Sequence, residues 1–410
     1  MEKSENTLYE TEEITIDEAE GVLKDEQYHG SPLFSKYAYL LQQYKNMFKQ
    51  LRRLIRLSDK QQEKLNNLNN KLEIANNLIR KTFGRYLSDD VVKGILSSEG
   101  LVLGGETRIV TILMSDLRGF TAISESLPAE TVMNIINIYL SKMTDIIMRY
   151  NGTIIEFIGD SIFVVFGAPV FRSDDAQQAT ACAIEMQRAM GDVNRECRER
   201  GYPEVEQGIG LNTGELVVGN IGSDKRTKYG AVGKNVNLTA RVESYTLGGQ
   251  IFISESTLKA CGSILKIVAC QEVHPKGIRT PIKIYEVCGI EGDFNLYLPE
   301  KAPENMTEIT SGLGVRISVL EGKHAGDETI EGEIIRLSAR SAVIRSNMKA
   351  ERFGNLKLAL IGSDGREMED DLYVKVTESP AESSSTFKVY FTSIPLKIRD
   401  FLQKTYLDAI

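Results

Sequence analysis

The stretch GTIIEFIGDSIFVVFG, residues 152–167, decides how the central part of the chain is read. Its two flanking runs, Ile154 to Ile158 and Ile162 to Phe166, are dense in β-branched and aromatic residues, which favour strands. Gly159 and Asp160 between them are a hairpin signal, so the spacing predicts two antiparallel strands joined by a tight turn. One residue breaks the pattern. Glu156 puts a carboxylate inside an otherwise apolar strand, four positions before Asp160.

Working outward, Arg108 to Leu117 reads as a strand. Residues 128–151 read as a helix with apolar positions at Val132, Ile135, Tyr139, Met143 and Ile147. After the hairpin come a second helix over about 174–200 and a strand from Glu206 to Val218. The order β-α-β-β-α-β is that of a ferredoxin-like α+β unit. Further strands are expected at Gln250 to Ser254, Leu265 to Val268 and Ile282 to Val287.

The 410 residues leave room for two or three domains, and a hydrophobic fraction of 42% is ordinary for a globular protein. A net charge of −8 argues against a nucleic-acid binder, which needs a basic face. Five cysteines without C-x-x-C spacing, and only three histidines, argue against structural zinc and for a reducing compartment. No apolar run has the form of a signal peptide or the length to span a bilayer, so a soluble cytoplasmic protein is expected.

Residues 1–30 are acidic and polar, a composition that predicts disorder. Over 31–82, Tyr37, Leu41, Tyr44, Phe48, Leu51 and Ile55 recur at alternating steps of four and three. After a phase shift Leu65, Leu68, Leu72, Ala75 and Ile79 do the same. Such heptads predict a parallel coiled-coil dimer; the alternative is an amphipathic helix packed on its own domain. Residues 83–290 form the central domain and 291–310 read as a linker. Residues 311–410 show five short alternating strands and a helix from about Leu396, which predicts a small β-barrel.

Two patches and the hairpin carry the chemistry. Asp116 closes the first strand in LMSDLRGFT, and Asp160 sits on the hairpin turn. Adjacent strands would bring the two carboxylates to one sheet edge, a donor set that suits Mg²⁺ held beside phosphates. The backbone amides of Gly119, Phe120 and Thr121 open a helix and can meet phosphate oxygens. Either aspartate alone is equally a turn or capping residue. In GAVGKNVNLTARVES (230–244), a helix from Lys234 places Asn237 and Arg241 on one face, where an amide and a guanidinium can hold ribose and triphosphate. The competing reading is a solvated face.

SDLRGFT, FIGDSIFVVFG and VNLTAR, in this order and spacing, resemble the class III nucleotidyl cyclases, which form a 3′,5′-cyclic nucleotide and pyrophosphate. The resemblance covers about residues 80 to 290, including FGRYLSDDVV (83–92) at the junction with the coiled coil. It implies two metal ions, Mg²⁺ or Mn²⁺, held by Asp116, Asp160 and the Leu117 carbonyl. It also implies transition-state roles for Asn237 and Arg241 and a phosphate-binding Lys276 in HPKGIRTPIKIYEV. The family's site is shared across a dimer, so a homodimer with two sites is expected.

In the family the position of Glu156 reads the purine, and adenylyl members usually carry Lys there. Guanine presents two donors that one carboxylate can accept, whereas adenine would leave the charge unpaired. The second purine-reading position falls on Gly230, where the family's acceptor for the adenine amino group is missing and its guanylyl cysteine is missing too. GTP is therefore the expected substrate, giving a homodimeric guanylate cyclase. The alternatives are an adenylate cyclase using ATP and a catalytically silent nucleotide-binding scaffold.

FTSIPLKIRDFL (391–402) and GEIIRLSARSAVI (332–344) are similar to a PilZ domain, a barrel that often binds cyclic di-GMP. The family's [D/N]-x-S-x-x-G pattern falls on Arg336, Ser338 and Ser341 and keeps only Ser338; its R-x-x-x-R is missing, Arg316 having no partner there. A degenerate barrel that regulates or docks is implied. Nothing in the chain identifies the regulator acting on it or on the N-terminal segment.

Overall fold

The computed structural model describes residues 9–83, 104–223, 225–275, 277–278, 280–300, 304–321, 324–362, 365–379 and 385–408. They fall into two compact units, with the boundary at Gly84 and Arg85.

The N-terminal unit is built on two helices, α1 (Glu10–Lys24) and α2 (Phe34–Phe83). Acidic composition predicts disorder over 1–30, yet α1 is a helix whose first turn holds Glu10, Glu12 and Glu13, placed to suit the helix dipole. What the composition misses is a partner. Tyr9 stacks edge-on against Phe48 at 5.6 Å, and Arg52 lies over the Tyr9 ring at 4.9 Å while pairing with Glu13. Lys45 pairs with Glu20, and Leu41 and Phe48 are buried. The first run of heptads is thus partly covered within the chain. In the second run, Leu65, Leu68 and Leu72 are all more than half exposed among the described residues.

In the second unit, residues from 104 form a nine-stranded sheet with the order β2-β3-β1-β4-β6-β8-β7, where β5 pairs with β4 and β9 with β8. The strands are β1 (Gly104–Leu117), β2 (Thr153–Ile158), β3 (Ser161–Phe166), β4 (Gln207–Ser223), β5 (Arg226–Val232), β6 (Ile251–Ser254), β7 (Leu265–Val273), β8 (Ile282–Ile290) and β9 (Leu296–Tyr297). Between them run α3 (Phe120–Ser126), α4 (Ala129–Arg149), α5 (Asp175–Glu199), α6 (Lys234–Ser244) and α7 (Glu255–Cys261). The β-α-β-β-α-β order is present, with α3 and α4 both lying in the first crossover. Strand alternation in β1 splits the packing. Leu113 and Leu117 join Ile135, Tyr139, Met143 and Ile147 of α4, while Val110 and Ile112 pack with Phe163, Val165 and Leu216 in a separate cluster. Asp116 shares the alternation of Val110 and Ile112.

Three strands depart from the sequence reading. Residues 226–232, left outside any strand, form β5 along the end of β4. The segment 291–310, read as a linker, contains β9, which pairs with β8. The C-terminal barrel has a strand more than expected, Asn355–Ile361.

That barrel closes in the order β10-β11-β12-β15-β14-β13. Its strands are β10 (Thr307–Glu321), β11 (His324–Leu337), β12 (Ser341–Arg345), β13 (Asn355–Ile361), β14 (Glu367–Glu378) and β15 (Thr386–Ser393), with helix α8 (Leu396–Asp408) following. Alternate residues point inward, so Val315, Ile317, Leu356, Leu358, Val374 and Phe387 fill the core, and Ile398 and Leu402 of α8 join it. Ser338, the one position kept of the PilZ pattern, and Ser341, which falls on its glycine, are engaged inside the chain: both hydroxyls donate to Glu304, at 2.5 and 2.7 Å.

The barrel rests on the sheet domain through polar contacts. Tyr390 donates to Glu206 at 3.0 Å and Arg340 pairs with the same carboxylate at 3.0 Å. Phe353 meets Tyr245 edge-on at 5.2 Å. Lys375, on the outer face of β14, is only 2% exposed.

Candidate functional site

Asp116 ends β1 and Asp160 occupies the β2–β3 turn, where Gly159 supplies the left-handed backbone (φ 65°). Because β1 pairs with β3, the two carboxylates meet at one end of these adjacent strands. Asp160 accepts a hydrogen bond from the Leu117 amide at 3.2 Å. Asp116 accepts from the Ser161 hydroxyl and, at 2.8 Å, from Arg118. Burial, and after it the Asp116 charge, push Asp160 up to about 6. Below them Ser115 and Tyr139 hydrogen-bond at 3.0 Å, and Tyr139 donates to Gln207 at 3.2 Å, closing the floor.

Burial does most to raise Asp160, and the Asp116 charge adds to it while Arg118 opposes it. A hard divalent cation suits such a donor set, with Asp116, Asp160 and the Leu117 carbonyl as the ligands on offer. Among the described residues no cluster of three or more His, Cys, Asp or Glu is arranged to hold a metal. The remaining ligands of a cation here would have to be waters or phosphate oxygens of a substrate.

Gly119 follows at φ 64°. A Cβ there would lie 2.3 Å from the Thr392 carbonyl of the barrel, so both the conformation and the close approach require glycine. Phe120 is buried in the core, which leaves only its backbone for ligand contact, and Thr121 is exposed.

Helix α6 presents Asn237 and Arg241 on its exposed side, while Thr239 and Val242 are buried. Val242 packs with Phe252, Val273 and Ile284, which fixes the rotation of the helix. Glu156 lies near β5, where its carboxylate pairs with Lys228 at 2.9 Å. Gly230 is two residues beyond Lys228, and a Cβ there would press on the Ile221 side chain at 3.0 Å. The two positions expected to read the purine thus both stand beside or within β5. Lys276 lies outside the described residues, as do residues 84–92 of FGRYLSDDVV.

Sequence reasoning passed over Arg118, Glu243, Lys228 and Lys375. Arg118 is 8% exposed and bridges Asp116 to Glu243 of α6. Burial pushes the Glu243 carboxyl up to about 7 despite that pairing. Arg118 stands inside SDLRGFT, so proximity to Asp116 was a usable signal; Glu243 offered none beyond its position on α6.

Residues 105–289 match the family model described as "Adenylate and Guanylate cyclase catalytic domain". The chain is 32% identical over 215 residues to "Adenylate cyclase 1" of Rhizobium meliloti, covering 51% of this chain and 32% of that protein. It is 30% identical over 241 residues to "Adenylate cyclase" of Anabaena cylindrica, covering 54% of this chain and 46% of that protein. The chain thus spans a third to a half of these relatives. Among solved structures, that of the guanylyl cyclase Cya2 is 53% identical, covers 48% of this chain and 100% of that one, and superposes with a TM-score of 0.47.

Proposed function

We propose, from the premise that residues 105–289 are a catalytic domain of the adenylate and guanylate cyclase family, that the chain is a guanylate cyclase. It would convert GTP to 3′,5′-cyclic GMP and pyrophosphate as a homodimer. The observation that supports the cyclase reading is the pair Asp116–Asp160 brought together where β1 meets the β2–β3 turn, with Asp160 raised by burial and then by the Asp116 charge. Asp116, Asp160 and the Leu117 carbonyl would hold two Mg²⁺ or Mn²⁺ ions. When bound, such ions acidify the ribose 3′-hydroxyl and neutralise the leaving pyrophosphate.

The residues of the chain divide the remaining work. Asn237 orients the ribose, and Arg241 places a permanent charge at the transferring phosphorus. The 3′-oxygen bonds to the α-phosphorus as the bond to pyrophosphate breaks. Lys276 and the amides of Gly119, Phe120 and Thr121 complete the phosphate contacts in this reading. The homodimer is supported by apolar surface on the catalytic domain, where Phe157, Ile158, Val217 and Val232 are each more than 40% exposed. The bare Leu65, Leu68 and Leu72 of α2 support it as well.

Glu156 favours GTP, since its carboxylate accepts from both donors of guanine. Lys228 supports a second reading. Its ammonium, 2.9 Å from Glu156, can neutralise that carboxylate and offer adenine N1 a donor, as an adenylate cyclase needs. The decisive experiment offers GTP and ATP in parallel to the purified chain with Mg²⁺ or Mn²⁺. Cyclic GMP is expected, and Glu156→Lys with Gly230→Thr should move the preference toward ATP. Cyclic AMP as the main product would overturn the purine assignment and leave the cyclase; no product with either metal would favour a silent scaffold.

A further inference from the structure

Lys375 stands in the β14 run DLYVKVTE, where Leu372, Val374 and Val376 point into the barrel. Alternation sends Tyr373 and Lys375 outward, where a lysine ordinarily meets water. Instead the side chain is buried between barrel and catalytic domain. Its ammonium donates to the carbonyl of Ser244 at 2.6 Å and to that of Thr246 at 3.0 Å.

Those two carbonyls are at the C-terminal end of α6. The last carbonyls of a helix have no partner within it, and the dipole there favours a cation. A buried lysine is a costly way to meet that need unless it holds the helix in place. The same helix carries Arg241 one turn back and Asn237 two turns back. Between Arg241 and the end of the helix, Glu243 ties it through Arg118 to Asp116. Barrel strand β15 meanwhile presses on Gly119, just beyond Asp116.

We propose that the C-terminal barrel is a positioning element for the cyclase reaction, with Lys375 as its positioning residue. By gripping the end of α6, Lys375 sets where Asn237 and Arg241 stand, while β15 sets where the chain runs after Asp116. Lys375 touches no reacting atom. Its effect passes through the helix, so it acts on the rate of the chemical step more than on nucleotide capture. The inference rests on the cyclase reading above.

The test compares the full chain with Lys375→Met, Lys375→Gln and Lys375→Arg, measuring kcat, KM for GTP and the thermal midpoint. Methionine keeps the length and loses the donor. Its kcat should fall roughly ten- to a hundredfold, the scale for a displacement of about 1 Å in a reacting group, with KM unchanged within about twofold. Glutamine and arginine keep a donor and should recover part of kcat. Lys397→Met, which removes only the exposed pair of α8 with Glu369 on the barrel surface, should leave kcat as in the wild type. Equal kcat in wild type and Lys375→Met overturns the proposal. So does a loss of kcat that only follows a loss of folded protein and is not recovered by arginine or glutamine. Should the methionine variant not fold, the other two decide: reduced kcat at constant KM and midpoint supports the proposal, and wild-type kcat in both overturns it. A wild type without turnover removes the cyclase reading itself, and the proposal with it.

Discussion

At the scale of residues, the site is a matter of charges kept where they are expensive. Burial and the Asp116 charge hold Asp160 up, and in the proposed enzyme a bound cation would favour its charged form. Asp160→Asn should therefore abolish turnover by at least about a thousandfold while leaving the thermal midpoint of the metal-free protein unchanged or raised; parallel turnover and calorimetry check this. Arg118 is the counterpart. Removing it leaves Glu243 buried without its cation, and breaking such a pair costs about 3–5 kcal/mol. The pH dependence has a definite sign. The Glu243 carboxyl, pushed up to about 7 by burial, binds its proton more tightly folded than unfolded, so its contribution to stability falls as pH rises from its ordinary value toward 7. Loss of Arg118 carries that folded value higher and extends the fall. Arg118→Met should thus lose more stability, relative to wild type, at about pH 8 than at about pH 6 in urea titrations.

At the scale of elements, what the sequence made legible was what short-range pattern encodes. The hairpin around Gly159-Asp160, helix α4 with its apolar stripe and α6 with Asn237 and Arg241 on its exposed side were all readable from periodicity. The elements missed owe their form to a neighbour. Strand β5, with Gly230 in its middle, is held by pairing to β4, and two-residue β9 exists only against β8. Helix α1, acidic by composition, gains Phe48 and Arg52 as partners. Strand β13 is different, since Leu356, Leu358 and Leu360 alternate in plain view and its pattern is local. Helix α2 supplies this scale's prediction. Its Leu65, Leu68 and Leu72 are each more than half exposed among the described residues, so in the proposed dimer Leu68→Asp with Leu72→Asp should shift sedimentation from dimer to monomer. Turnover should fall at low protein concentration and recover in part as concentration rises.

At the scale of the whole molecule, the catalytic domain and the barrel share a seam that no motif announced. Lys375, Tyr390 and Arg340 lie far in sequence from the residues they engage, so their burial or pairing depends on a docking that periodicity cannot encode. In the homodimer proposed above, one link beside that seam would matter to both sites. Arg118 joins Asp116 to α6 inside a single subunit. If Asp116 of that subunit serves one site and its Arg241 the other, a single guanidinium is the mechanical link between two substrates. Occupying the first site then biases the second, and the two cease to be independent enzymes. Velocity against GTP should depart from a hyperbola with a Hill coefficient different from one, and Glu243→Gln, which loosens the link while sparing both Asp116 and Arg241, should return it toward one.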